Sequence, residues 1–313
     1  MSWRIEREHL QAARALPLDP TPLVPATWLG SGVYLKLETR QPTGSFKIRG
    51  ALVRLSQLTQ KERAQGVVAA SAGNHGLGLA EAGRRLGVPV TVFVSTSVPE
   101  VKRRGMVARG ATLKSAPGSY DDIEALAKRH ACDTGAPFVS PFDDPWVAAG
   151  NGASLAFECK AQLPELEGFI VPVGGGGLLA GMTAALPTCR YVGVESDVSP
   201  AMGLSLRRDS ALTALAPSGP TVAEGLEGGV SEGTFEAARR AGVELVSVSE
   251  DAIGDAMLRA RDALGEPVEG SAAVCIAWLA ATPQRTGPVV AVVSGANVDS
   301  TLLERLVAER SSR

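Results

Sequence analysis

Lys47 stands among small and apolar residues in Pro42-Thr43-Gly44-Ser45-Phe46-Lys47-Ile48-Arg49-Gly50-Ala51. Gly44, Ser45 and Gly50 permit close approach of a ligand or of another stretch of backbone. Phe46 and Ile48 add apolar surface, and burial lowers the pKa of a lysine, the condition under which its amine forms an imine. The plainer reading is a solvated surface lysine. A second segment, Ser71-Ala72-Gly73-Asn74-His75-Gly76, joins an apolar run to a helical one. Exposed amides at a helix start grip a carboxylate or phosphate, and Asn74 and His75 add side-chain donors. An ordinary Gly-Asn turn would look the same. The third segment is Gly174-Gly175-Gly176-Gly177, between a strand and a helix. Its free N–H groups could wrap a phosphate, which the helix dipole favours. The fourth, Ser294-Gly295-Ala296-Asn297, ends an apolar strand and aims Ser294 at whatever crevice the sheet forms, although a serine there also serves as a turn residue.

One segment admits a rival chemistry. Gly175-x-Gly177-x-x-Ala180 fits the dinucleotide pattern G-x-G-x-x-A, and Glu195 ends the next strand about 20 residues on, where a ribose-binding acid would sit. A NAD-binding oxidoreductase is therefore an alternative, but it leaves the Lys47 and Ser71–Gly76 segments without a role. A non-catalytic binding protein is a third option, against which Lys47 argues, because a binding module gains nothing from a buried amine.

Alternating β-branched runs and Ala/Leu-rich stretches predict an α/β fold with parallel strands covered by helices. Strands are expected at 66–70, 90–94, 111–113 and near 138–139, with helices at 76–86, 99–109 and 120–130, a four-strand unit. A second series has helices at 151–162, 178–186 and 250–264 and strands at 169–173, 191–195 and 289–293. In the last helix Ile253, Met257, Leu258 and Leu264 recur at helical spacing. The stretch 215–232, rich in Gly, Pro and Ser, is expected to be a long loop, and loops of that length are often functional. No internal repeat is visible.

The 313 residues suffice for two lobes or one large domain, and 45% are hydrophobic. With 31 basic and 33 acidic residues, net −2, nothing favours nucleic acid or a membrane surface. The charged N-terminus lacks a signal-type core, and no apolar run reaches the roughly 18–20 residues of a membrane helix, so a cytoplasmic protein is expected. Cys132, Cys159, Cys189 and Cys275 form no CxxC pair and read as reduced thiols. Three histidines all but exclude a His-rich metal site.

The four segments, in this order and together with Pro141-Phe142-Asp143-Asp144-Pro145, resemble the fold-type II pyridoxal-phosphate enzymes, specifically the serine/threonine dehydratase and serine racemase family. The resemblance runs from Thr21-Pro22-Leu23 to Asn297. It implies a two-lobe, tryptophan synthase β-like α/β fold, with a large cofactor-binding lobe of residues 1–65 and 144–313 and a small mobile lobe of 66–143. It implies pyridoxal 5'-phosphate as cofactor, Lys47 as its Schiff-base lysine and Phe46 beside the pyridine ring. Asn74 would bond the ring hydroxyl, Gly174, Gly175, Gly176, Gly177 and Leu178 the phosphate, and Ser294 would face the ring nitrogen. Ser71, Ala72, Gly73, Asn74 and His75 would take the substrate carboxylate, and Gly225 would lie near the substrate side chain. The implied reaction is β-elimination from L-threonine or L-serine, giving a 2-oxo acid and ammonia, with Lys47 taking the Cα proton. Alternatives are a serine or other amino-acid racemase, or a dehydratase of hydroxyaspartate or phenylserine. In the racemases a serine hydroxyl serves the opposite face at the position of Ala72, and a methyl group cannot replace it, so little racemisation is expected. Glu224 replaces the family's usual Asp, which leaves the substrate preference open. Some relatives hold a divalent cation near the residue matching Glu195. Ser199 could add a carbonyl here, but Ala201 replaces the aspartate, so weak or absent binding is expected. A homodimer is implied. One helix's length after Asn297 implies no regulatory domain of the kind longer biosynthetic dehydratases carry.

Overall fold

The computed structural model describes residues 3–71, 73–98, 100–282 and 287–311. Among these, nine strands form two sheets. β1 (Leu23–Pro25), β2 (Val33–Leu37), β6 (Gly168–Pro172), β7 (Arg190–Ser196), β8 (Glu244–Val248) and β9 (Val289–Val293) make a six-stranded sheet in the order β1-β2-β9-β6-β7-β8. β3 (Val67–Ala70), β4 (Val90–Ser95) and β5 (Thr112–Ala116) make a three-stranded sheet. Only the β1–β2 pair is antiparallel. Parallel strands need crossover helices, which cover both sheet faces, so the central strands are continuous apolar runs rather than alternating ones. β3, β6 and β9 are buried at every position. The two sheets are the centres of two lobes.

The strand order places the crevice. From β6 the chain moves outward to β7 and β8, whereas β9 returns to the other side of β6. The carboxyl ends of β6 and β9 therefore lie side by side at a topological switch point, where open α/β sheets bind ligands. The glycine run follows β6, and Ser294 follows β9.

Two expectations change, and one helix is added. The strand near 138–139 is only a single bridge, Val68 to Phe138, so the small sheet has three strands and not four. Pro137 and Pro141 flank the bridge, and proline has no N–H with which to extend a ladder. The helix expected to begin at 151 starts earlier, at Pro145. Asp144 caps it by accepting from the Trp146 and Val147 amides, and a π-helical turn at Ala149–Ala153 leads into Ser154–Gln162. The added helix, Gly270–Ala281, carries no periodicity because it is apolar on all sides and buried from Gly270 to Ala277 and at Leu279. Val274, Ile276 and Leu279 are fully buried there. Each such side chain stabilises the fold by about 1.5–3 kcal/mol relative to exposure, which only this interior position can supply. No helix among the described residues is long and apolar enough to cross a membrane.

Candidate active site

Lys47 opens the helix Lys47–Ser56. The turn before it is stitched to the end of β9: Ser45 bridges Gly295, and the Phe46 amide donates to the Ser294 carbonyl at 3.1 Å. From the small lobe, the helix Asn74–Leu86 abuts the same turn through Gly78, where a Cβ would stand 2.9 Å from the Lys47 carbonyl carbon. Beneath lies a buried ion cluster. Arg49 donates to Glu38 at 2.7 and 2.8 Å and to Glu158 at 2.8 Å, and Lys36 pairs with Glu158 and donates to the Thr21 carbonyl. Buried charges are tolerated only when paired, and here two cations meet two anions. The cluster anchors the helix two residues from Lys47.

The Lys47 ammonium donates to the Pro141 carbonyl at 3.0 Å and lies 5.1 Å from the Phe46 ring centre. Burial pushes its pKa down to about 8, against the opposing pull of Glu269. A far larger share of neutral amine is thus present near neutrality than on a surface lysine.

The glycine run is built as an anion cradle. Among the described residues, no backbone N–H from Gly174 to Leu179 donates to the protein. Most of the run is buried, so these donors call for an outside acceptor. Gly176 has φ +85°, and a Cβ on it would stand 2.6 Å from Met202 Cε and 2.9 Å from Thr234 Cβ. Gly174 lies so close to the 224–226 turn that its Cβ would come within 2.8 Å of Leu226 Cα, which brings Gly225 to the crevice. The Phe142 ring packs on Gly175. Leu178 is buried behind the run, and Ser294 is buried at the end of β9 with its hydroxyl free of partners among the described residues.

The Ser71 segment faces this crevice from the other lobe. Ser71 Oγ accepts from the Gly73 and Gly76 amides at 3.1 and 2.9 Å, which fixes the loop. Asn74 reaches across to Glu269 and Asn297. The His75 ring turns into the core instead. Its Nε2 donates to the Val139 carbonyl at 3.0 Å, and burial together with Lys47 lowers its pKa to about 3, so it is neutral. The ring is not the side-chain donor that the sequence suggested. Ala72 lies outside the described residues.

Two site residues carry no sequence signal. Glu269 precedes a helix like any surface acid, yet it is drawn into the crevice. Lys102 donates to Glu224 at 3.2 Å across the mouth, its stem passing Gly73. Glu195 stands apart. Its oxygens accept from the Met202 and Gly203 amides at 2.7 and 2.9 Å, and burial pushes its pKa up to about 7. Ser199 is near in sequence, but no cluster of three His, Cys, Asp or Glu suited to a metal occurs among the described residues. The Glu195 carboxylate already accepts two backbone amides.

A sequence profile described as "Pyridoxal-phosphate dependent enzyme" matches residues 15–295. The chain belongs to this family. Among pyridoxal-phosphate dependent enzymes, it is similar to the L-threonine ammonia-lyase of Thermotoga maritima, with 38% identity over 284 residues, 89% of this chain and 70% of that one. The L-threonine ammonia-lyase of Geobacter sulfurreducens is 37% identical over 291 residues, 90% and 71% of the two chains. The processed form of threonine deaminase isoform 2 from Solanum lycopersicum superposes with TM-score 0.89 at 30% identity, covering 96% of this chain and 92% of that one. Maize serine racemase superposes with TM-score 0.88 at 25% identity, covering 99% of each. The family's cofactor is pyridoxal phosphate, and the crevice suits it: unpaired amides for a phosphate, a weakly basic amine for a carbonyl, and a free hydroxyl at the β9 end.

Proposed function

We propose that this enzyme eliminates water and ammonia from L-threonine or L-serine, yielding a 2-oxo acid. One observation carries the reading: the weakly basic Lys47 amine shares a crevice with a glycine run whose amides lack acceptors. Lys47 would hold the cofactor, Phe46 would pack beside it, and Gly174 to Gly177 with Leu178 would bind its phosphate. Ser294 would face the ring nitrogen, and Asn74 would bond the ring hydroxyl. When bound, the cofactor serves as electron sink for the carbanion formed at Cα. Ser71, Ala72, Gly73, Asn74 and the His75 amide orient the substrate carboxylate, which leaves Gly225 beside its side chain. The Lys47 amine would take the Cα proton. A neutral Ser294 would not lock a proton on the ring nitrogen as an aspartate would, which would favour elimination.

The small mobile lobe comprises 66–143 and the large lobe 1–65 and 144–313, supported by the separate three-stranded sheet. The protein acts as a cytoplasmic homodimer. With L-threonine, equal amounts of 2-oxobutanoate and ammonia are expected, and with L-serine pyruvate with little D-serine. Chiral separation alongside pyruvate measurement tests this. D-serine accumulating as fast as pyruvate would turn the assignment towards a racemase, and absence of any 2-oxo acid would reject elimination. Because Ala201 stands where the aspartate of cation-binding relatives would be, activity is expected to survive exhaustive chelation. Strong inactivation reversed by magnesium would contradict that.

A further inference from the structure

Glu269 joins three of the segments around Lys47. Its amide donates to the Gly295 carbonyl at 3.0 Å, and its carboxylate fills the space beside Gly295, where a Cβ would lie 2.6 Å from Oε1. Asn74 Nδ2 stands 2.9 and 3.0 Å from the two carboxylate oxygens. Asn74 Oδ1 accepts from Asn297 Nδ2 at 2.7 Å, and that same Nδ2 donates to the Thr43 carbonyl at 2.8 Å. The direction of this chain follows from its first member. A backbone carbonyl can only accept, so the Asn297 amino group must point at Thr43. The same group faces Asn74, whose carbonyl oxygen must then receive it. The Asn74 amino group is left pointing at Glu269, and both carboxyl oxygens act as acceptors. A flipped amide at either asparagine would set like groups against each other. The chain therefore leaves Glu269 an acceptor-only role toward Asn74, which a carboxylate fills with both oxygens.

Burial is the largest influence on Glu269 and leaves its pKa raised, while the Asn74 amino group, Lys102, an amide of Asn297 and Lys47 all pull toward the ionised form. Lys102 is shared with Glu224. His75, which also faces Lys47, is neutral.

We propose that Glu269 is a positioning residue of the Lys47 site: its ionised carboxylate terminates a one-way hydrogen-bond chain, holds Asn74 across the crevice and supplies the counter-charge to the Lys47 amine. This rests on the reading of Lys47 as the cofactor lysine. Glu269→Gln keeps the shape and removes the charge. In cofactor-free protein, trace acetylation across pH, read by mass spectrometry of the Lys47 peptide, gives the titration midpoint of that amine. In Glu269→Gln the midpoint is expected to fall by about one unit, so that Lys47 labelling well below the midpoint rises roughly tenfold. Glu269→Asp, which retains the charge, should recover most of the shift. An unchanged midpoint in the Gln variant overturns the proposal. A second measurement does not need that variant to fold. The carboxyl ¹³C signal of wild-type Glu269, assigned by its loss in Glu269→Asp, is expected at the ionised position at neutral pH, and a protonated signal overturns the proposal equally. Borohydride reduction of the wild-type holoenzyme tests the underlying reading separately. An adduct on a lysine other than Lys47 overturns that reading, whereas an adduct on Lys47 with an unshifted midpoint overturns only the role of Glu269.

Discussion

Lys47→Ala is expected to lower turnover by roughly 10³-fold or more, since one change removes both the nucleophile and the base. General-base catalysis alone contributes on the order of 10²–10⁴. The fold should survive, because the Arg49–Glu38–Glu158–Lys36 cluster that anchors the helix is untouched. The glycine cradle is equally unaffected, so the variant should still bind pyridoxal phosphate while losing the borohydride-sensitive visible band. The wild-type enzyme has a matching pH signature. Protonated Lys47 cannot attack a carbonyl, and burial holds its pKa at about 8. Cofactor attachment to the apoprotein should therefore speed up about tenfold per pH unit well below that value and level off above it. Near-normal elimination by a homogeneous Lys47→Ala sample would remove Lys47 from the mechanism. A flat attachment rate between neutral and alkaline pH would show that its titration does not control attachment.

The second large effect is expected at Gly176. Its φ of +85° strains any L side chain, and the nearest atoms to a new Cβ are Met202 Cε and Thr234 Cβ. The methionine tip can move, but the threonine Cβ, tied to the helix Glu232–Ala241, cannot move far. In Gly176→Ala the loop relieves this by rotating its backbone, which turns amides away from the cradle. Each hydrogen bond to a charged group is worth about 1.5–3 kcal/mol. Losing one or two should weaken cofactor binding by roughly 10²-fold, and Gly176→Val should weaken it further. Titration of the apoproteins with pyridoxal phosphate measures this, and a thermal melt separates it from unfolding. Unchanged affinity in a folded Gly176→Val protein would place the phosphate elsewhere.

Much of the site was legible in the chain because short segments enclose complete chemical devices. Four consecutive glycines can serve few purposes between a strand and a helix. Lys47 among Gly, Ser, Phe and Ile is already marked as an unusual amine. The strands β6 and β9 announce themselves because burial on both faces leaves an uninterrupted apolar run. Local patterning therefore determined the fold class, the crevice-forming ends of the strands and the place of Lys47.

Only the tertiary structure decided the rest, because the deciding partners are far apart in sequence. Lys36 breaks the apolar run of β2, and its charge is tolerated only because Glu158 lies beside it, 122 residues on. Residues 138–139 look like a strand, but the prolines around them allow a single bridge. His75 resembles a ligand-facing donor until the Val139 carbonyl claims its ring. Glu269 looks like a surface acid until Asn74, 195 residues away, meets it across the crevice. A backbone pattern records which face a residue turns toward the core. It does not record which polar group waits there, and for buried charge and hydrogen-bond direction that partner decides the chemistry.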